Sequence, residues 1–259
     1  MSDDKRRRLD HAVAAVQLRH GPKALRRGED AASPPAVPHI ATGFTALDAM
    51  TGCGGVPLGA ITLLSGRTTS GKLTVAYKLL ANAQRDGRGR VAYTVALLDL
   101  SRTADPDYLH RCGLDLDALL IGRPQPGPET VHLLGDLLAT QRVRAVVLDS
   151  LADLPKLADL NGSLGKLKTL LRASGAALLL LDEPQPPWLR WLNLDGSREV
   201  RQAAALHIEM GRERWLRRDG VLVGYRAQAR LLKSRWAYGA ASAPVELVFN
   251  GTVRAQETW

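Results

Sequence analysis

The sequence has little of what would fasten a chain by covalent bridge, metal or membrane. It carries two cysteines in 259 residues, Cys53 and Cys112, and neither has a partner at CxxC spacing. That supports neither a disulfide framework nor a zinc site, and reduced thiols fit a cytoplasmic protein. Long apolar runs are missing. The longest is Ala176 to Leu181, far short of the roughly 20 residues a membrane-spanning helix needs. The basic start, Met1-Ser2-Asp3-Asp4-Lys5-Arg6-Arg7-Arg8, is not followed by an apolar stretch, so no secretory leader is read and no membrane partner is expected. Six histidines show no pairing at metal-ligand spacing, and His207, within Ala203 to Ile208, reads as a packed strand residue. Internal repeats and low-complexity segments are absent. What remains, at 45% apolar residues, is a soluble globular chain able to bury one core with one appendage.

Charge is present in excess and in two places. The net charge is +9; residues 1–27 carry eight Lys/Arg against three Asp, and residues 184–235 carry eleven against five acids. A localised basic excess points to nucleic acid or another polyanion, and the other reading is an arginine-biased, solvated face.

The most informative stretch is Gly66-Arg67-Thr68-Thr69-Ser70-Gly71-Lys72-Leu73-Thr74. It follows the strand-like run Ile61-Thr62-Leu63-Leu64 and opens an amphipathic stretch through Leu73, Val75, Leu79 and Leu80. That strand-loop-helix context makes it a phosphate-cradling loop rather than a surface turn. In such a loop Gly66, Ser70 and Gly71 let backbone N–H groups face phosphates, and Lys72 reaches the outer phosphates. The next residue normally supplies a hydroxyl to Mg²⁺, and here it is Leu73. Thr74 lies about 100° further round the helix and is a poor substitute. The expected cofactor is ATP or ADP, held weakly, with the Mg²⁺ ligand missing.

Apolar runs at 61–64, 91–98, 145–148, 176–181, 204–208, 223–232 and 245–249 read as strands. Helix-like segments at 73–84, 108–120, 130–138 and 164–173 separate the early ones. This alternation predicts an α/β fold with a mostly parallel central sheet flanked by helices, and antiparallel additions from the last two runs. Ligands of such sheets bind at the carboxyl ends of the strands, where the phosphate loop lies. Ala145-Val146-Val147-Leu148-Asp149-Ser150 ends one buried strand on a carboxylate; Asp149 either faces the metal shell beside the phosphates or caps the next helix. Upstream, Leu9, Ala12, Val13 and Val16 recur at helical spacing, and Pro34, Pro35 and Pro38 mark a linker. Residues 1–38 are expected to be a helical arm, docking through Leu9, Val13 and Val16, and residues 39–259 the core.

The order of these pieces resembles the RecA recombinases. Ile40-Ala41-Thr42-Gly43-Phe44-Thr45-Ala46-Leu47-Asp48 and Gly54-Gly55-Val56-Pro57-Leu58-Gly59 look like that family's lead-in to its phosphate loop. Asp105-Pro106-Asp107-Tyr108 is similar to the segment whose Asp and Tyr hold and stack on adenine, which implies those roles for Asp105 and Tyr108. Leu232-Lys233-Ser234-Arg235 resembles the basic pair that reaches ATP on a neighbouring subunit, implying self-association through Lys233 and Arg235. The arm, ending in Arg27-Gly28-Glu29-Asp30, is similar to the family's amino-terminal docking segment.

The departures carry the functional expectation. Where the family has a catalytic glutamate, Asp99-Leu100-Ser101 places a serine, which cannot act as the carboxylate base. The γ-phosphate-sensing Asn-Gln pair corresponds to Asp182-Glu183, and a carboxylate there repels a triphosphate. No catalytic residue is assigned. The chain stops soon after Phe249, so the family's carboxyl-terminal domain is expected to be absent, and its first DNA-binding loop to be shortened around Lys156 to Gly165. The second loop is replaced by Pro184-Gln185-Pro186-Pro187-Trp188-Leu189-Arg190-Trp191-Leu192, with Arg198 and Arg201 following. Trp188, Arg190, Trp191, Arg198 and Arg201 form either a single-stranded-DNA contact or a Trp-rich lid on a protein partner.

A short RecA-like core with a degraded nucleotide site resembles the ImuA group, the non-polymerase members of damage-inducible mutagenesis cassettes. That resemblance implies a DNA-repair accessory of the SOS response and translesion synthesis, cytoplasmic and nucleoid-associated. Its implied partners are single-stranded DNA, RecA, a Y-family-like mutagenesis protein and an error-prone polymerase, and its implied effect is to modulate homologous recombination. The alternative is an active ATP-dependent recombinase that binds single strands. Given Leu73, Ser101 and Glu183, phosphate release from ATP is expected at background level with or without single-stranded DNA. The double variant Leu73→Thr/Ser101→Glu should recover part of the turnover; robust Mg²⁺-dependent hydrolysis by the unmodified chain would select the recombinase.

Overall fold

The computed structural model describes residues 3–21, 37–151, 158–184, 198–237 and 239–248. Residues 28–36 of the linker expected over 28–38, the segment Arg27 to Asp30, and Trp188, Arg190 and Trp191 lie outside the described residues. The chain divides into two compact units, Met1–Val37 and Pro38–Trp259.

The first unit contains one helix, α1 (Asp3–His20). Asp4 lies in its first turn and Arg19 and His20 in its last, charges that complement the helix dipole. Gly21, at φ +91°, ends it by donating its N–H to Gln17 O at 2.8 Å. Leu9 and Val16 are exposed and Val13 is half-buried, so the expected apolar stripe stands largely in solvent.

The second unit is built from β1 (His39–Ile40), α2 (Thr45–Met50), β2 (Val56–Pro57), β3 (Ile61–Gly66), α3 (Lys72–Ala83), β4 (Thr94–Asp99), α4 (Pro106–Arg111), β5 (Leu119–Gly122), α5 (Pro128–Ala139), β6 (Val143–Asp149), α6 (Ala158–Ser174), β7 (Ala177–Asp182), α7 (Arg198–Ala203), β8 (Leu206–Arg218), β9 (Val221–Ser234) and β10 (Ser242–Val248). β1 and β2 pair as a small antiparallel sheet. The other eight strands form one sheet in the order β10-β9-β8-β3-β7-β6-β4-β5. From β8 to β5 every pairing is parallel, and β9 and β10 add antiparallel. The mostly parallel sheet with antiparallel additions is therefore as expected.

Strands covered on both faces must be apolar on both. In β3, Leu64 packs with Val75, Leu79, Val147 and Leu179 under α3, while Ile61 and Leu63 pack with Leu134, Leu167, Leu171 and Leu178 under α5 and α6. Helices thus cover the two faces of the central strands, and no helix among the described residues is long and apolar enough to cross a membrane.

Three expectations are corrected. The helix expected over 108–120 is only α4, ended by Gly113 at φ +96°, and the chain then forms β5, a short strand at the edge. The strand expected over 204–208 is β8, Leu206–Arg218; pairing with β9 extends it, and its solvated outer half carries no apolar pattern to mark it. Of the stretch Lys156 to Gly165, residues from Ala158 onward belong to α6 rather than a loop.

His207 is the packed strand residue expected, 8% exposed, with Nε2 2.9 Å from Ser65 Oγ. Burial above all, then the charges of Arg201 and Lys233, push its pKa down to about 4. In the unfolded chain imidazole titrates near ~6.5, so on acidification the unfolded state takes the proton first. Stability from this residue is complete above ~6.5 and is lost as pH falls towards about 4. Urea midpoints should decline across that window, and His207→Gln, which can still bond Ser65, should flatten the decline. A His207 resonance titrating near ~6.5 in the folded protein would contradict this.

Candidate nucleotide site

The parallel strands deliver their last residues to one end of the sheet: Gly66 from β3, Asp99 from β4, Asp149 from β6 and Asp182 from β7. Between β3 and α3 the loop turns back on itself, Ser70 donating its N–H to Arg67 O at 3.0 Å. Gly71 starts α3 at φ +91°, and a Cβ there would run into Leu247 and Tyr225. Gly66 has no room either, since its Cβ would meet Ser70 and the Met210 carbonyl. Both glycines are thus required by the close approach of backbone and neighbouring strands.

Lys72 is 7% exposed. Its Nζ donates to Gly66 O at 2.9 Å and to Glu183 Oε1 at 2.9 Å. The same carboxylate oxygen accepts from Thr68 Oγ1 at 2.8 Å. The Lys72 hydrogen bond, helped by Thr68 and by the charges of Lys72 and Arg67, holds the Glu183 carboxyl below the usual carboxylate range. The carboxylate expected to repel a triphosphate thus occupies the Lys72 ammonium and the Thr68 hydroxyl.

The acids behind the loop also have protein partners. Asp149, 5% exposed, accepts from Ser101 Oγ at 3.0 Å. Asp99 accepts from Arg123 Nε at 3.0 Å, Thr103 N at 3.0 Å and Ala104 N at 3.2 Å. Ser101 therefore tethers Asp149 where the family pattern calls for a base. Thr74 is buried, its hydroxyl 2.5 Å from Tyr108 Oη. Tyr108 is half-buried, meets Tyr77 edge-on at 5.9 Å, and burial pushes its phenol up to about 12. Asp105 is spent as the N-cap of α4, accepting from Asp107 N at 2.9 Å.

Lys72, Thr74, Tyr108 and Asp149 line one cavity of about 500 Å³ together with Thr68, Leu73, Ser101 and Glu183. Tyr225, from β9, lines it too. No motif marked Tyr225, because only the sheet order brings β9 near the loop. The cavity's residues fit a phosphate in part. Ser70 Oγ, in the loop but outside this cavity's lining, is buried without a hydrogen-bond partner, as an anion donor would be, whereas the residue after Lys72 is Leu73, which has no hydroxyl for a metal, and the described residues hold no group of three or more His, Cys, Asp or Glu that could bind one.

The remaining expected residues are dispersed. Lys233 Nζ donates to the Arg201 and Gln202 carbonyls at 3.1 and 2.8 Å, closing the end of α7, and Arg235 is exposed. Arg198 is exposed on α7, but Arg201, expected to face DNA, pairs with buried Asp182 at 3.3 Å.

Since Glu183 competes with a phosphate for Lys72, Glu183→Gln should bind ADP about tenfold more tightly, ~1.4 kcal/mol, in calorimetric titrations without Mg²⁺. Equal or weaker affinity would show that the carboxylate does not compete.

Comparison with known proteins agrees with this architecture. Residues 7–178 match the RecA N-terminal domain. The Protein RecA of Acidothermus cellulolyticus is 27% identical over 268 aligned positions, covering 95% of this chain and 76% of that protein. That of Corynebacterium efficiens is 35% identical over 171, covering 66% and 43%, and that of Roseiflexus castenholzii 34% over 165, covering 64% and 45%. With two thirds of its length matching that domain, on a sheet whose strand ends carry the phosphate loop, the chain belongs to the RecA N-terminal domain family.

Proposed function

We propose that this protein is a RecA-like accessory of DNA repair, of the ImuA kind, acting in the SOS response and translesion synthesis. The observation that carries the reading is Glu183 seated on Lys72 and Thr68, in a loop where Leu73 replaces the metal-binding hydroxyl. Such a site holds ATP or ADP weakly and does not need to turn it over. The protein then works through surfaces: single-stranded DNA, RecA, and a Y-family-like mutagenesis protein with its error-prone polymerase, in the cytoplasm at the nucleoid. Residues 1–38 serve as the docking arm and residues 39–259 as the core.

An ATP-dependent recombinase is the second reading. Lys72 and Asp149 lining one cavity favour it, since both parts of a phosphate and metal site are kept.

A RecA-like core with a docking helix can join the end of a RecA filament, while its altered nucleotide site offers the next subunit a poor ATP-bridged contact. It acts as a cap. RecA-catalysed strand exchange should therefore fall at substoichiometric amounts of this protein. Removing residues 1–38 should abolish the inhibition, because α1 presents Leu9, Val13 and Val16 for docking. No effect of either form, or equal inhibition by both, would sink the capping role.

A further inference from the structure

The phosphate loop has side-chain donors and backbone donors, and the two are in opposite states. A lysine ammonium carries three N–H groups. Lys72 Nζ gives one to Gly66 O and one to Glu183 Oε1, both at 2.9 Å, and the third has no acceptor among the described residues. Thr68 Oγ1 donates to the same Glu183 oxygen at 2.8 Å. Two side-chain donors of the loop thus converge on one carboxylate oxygen.

The backbone donors are uncommitted. Thr69 at φ +67° and Gly71 at φ +91° are both left-handed, and such residues in a turn bend N–H groups into an anion-binding concavity. For Thr69, a β-branched residue, that conformation is uncommon and has to be held by its surroundings. The Thr69 and Gly71 N–H groups meet no backbone acceptor among the described residues. Ser70 between them is 2% exposed, and its Oγ has no partner. In loops of this kind the backbone serves the inner two phosphates and the lysine the outer ones. The inner half is therefore open to an anion, while the outer half already holds one.

Beside Lys72, the cavity of about 500 Å³ has Tyr108, Tyr225 and Leu73 in its wall. Tyr225 passes close to the start of α3, since a Cβ on Gly71 would lie 3.0 Å from its hydroxyl. Two phenol rings and a leucine next to a phosphate cradle suit a flat heterocycle that carries phosphates.

We infer that this is a nucleoside-diphosphate site that discriminates against triphosphates. The backbone of residues 69–71 and the last N–H of Lys72 take the pyrophosphate group, Tyr108 and Tyr225 take the nucleoside, and Glu183 withholds the donors that a third phosphate needs. A third phosphate must either lie beside the carboxylate, where like charges repel, or displace it and break its two hydrogen bonds. Both costs weigh most on the triphosphate. The inference rests on the weak nucleotide holding of the proposed function and gives that site its ligand class. The reaction class that supplies such a ligand is nucleoside-triphosphate hydrolysis, so the site responds to what an ATPase leaves behind.

The test is calorimetric titration of the full chain, in EDTA, with ADP, ATP and inorganic pyrophosphate. ADP should bind about tenfold more tightly than either ATP or pyrophosphate. Glu183→Gln should raise ATP affinity about a hundredfold against about tenfold for ADP, bringing the two level. The comparison in the unmodified chain stands even where the variant does not fold. ATP binding as tightly as ADP in the unmodified chain, or an equal gain for both in Glu183→Gln, would overturn the selectivity and leave the accessory role intact. Pyrophosphate matching ADP would overturn the nucleoside contact with Tyr108 and Tyr225. No binding of any of the three would overturn the inference altogether. Robust Mg²⁺-dependent hydrolysis together with an ADP preference in EDTA would instead sink the accessory reading and keep the selectivity.

Discussion

A lysine ammonium shut away from water at the end of a buried strand must be compensated, because an unpaired buried charge costs far more than any single contact returns. In a phosphate-binding loop the compensation is the ligand. Here it is Glu183, and the sheet itself puts it there. β3 lies between β7 and β8, and Ser65 of β3 is in register with Asp182 of β7, so the residue after Asp182 emerges beside Gly66 and the loop. With glutamate at that position, Lys72 has an anion within 2.9 Å as a consequence of strand pairing alone. A glutamine there could accept a hydrogen bond but could not neutralise the charge.

The same logic extends along the strand ends. Asp99 is answered by Arg123 and two backbone N–H groups, Asp149 by the Ser101 hydroxyl, and Asp182 by Arg201. Each acid that could bear on a nucleotide or metal is satisfied by the protein's own donors. The strand-end acids are thus partnered without a ligand. Leu73 fits the same pattern: at the first turn of α3 it packs against the core as an apolar residue.

How much of this the sequence revealed follows from how each part is stabilised. β3, β6 and β7 are buried on both faces, so they read as apolar runs, and the loop after β3 reads as glycines and a lysine. β5 escaped because Leu119–Gly122 is an edge strand with Leu120 and Ile121 exposed, too short to break the appearance of a continuing helix. The outer half of β8 escaped because Gly211 to Arg218 lies mostly in water, so no period survives. The pairing of Lys72 with Glu183, 111 positions apart, depends on sheet register, and the presence of Tyr225 in the cavity depends on β9 being two strands away from β3. Arg201 and Lys233 counted towards a basic patch, yet their direction is decided by Asp182 and by the open carbonyls of α7. Charge totals carry no such direction.

The phosphate loop is also a partition. Thr68 and Thr69 line both the cavity holding Lys72 and a second crevice, of about 840 Å³, walled by β8 and β9. Thr68 donates to the carboxylate that occupies Lys72. A phosphate that displaced Glu183 would therefore also release a hydroxyl on the crevice wall, and a ligand of the crevice that drew on that hydroxyl would weaken the hold on Glu183. Linkage requires the two effects to be equal in free energy, whichever ligand arrives first. A site closed by its own glutamate can in this way remain coupled to a neighbouring surface without hydrolysing anything, since the coupling runs through one shared side chain and the ion pair it supports.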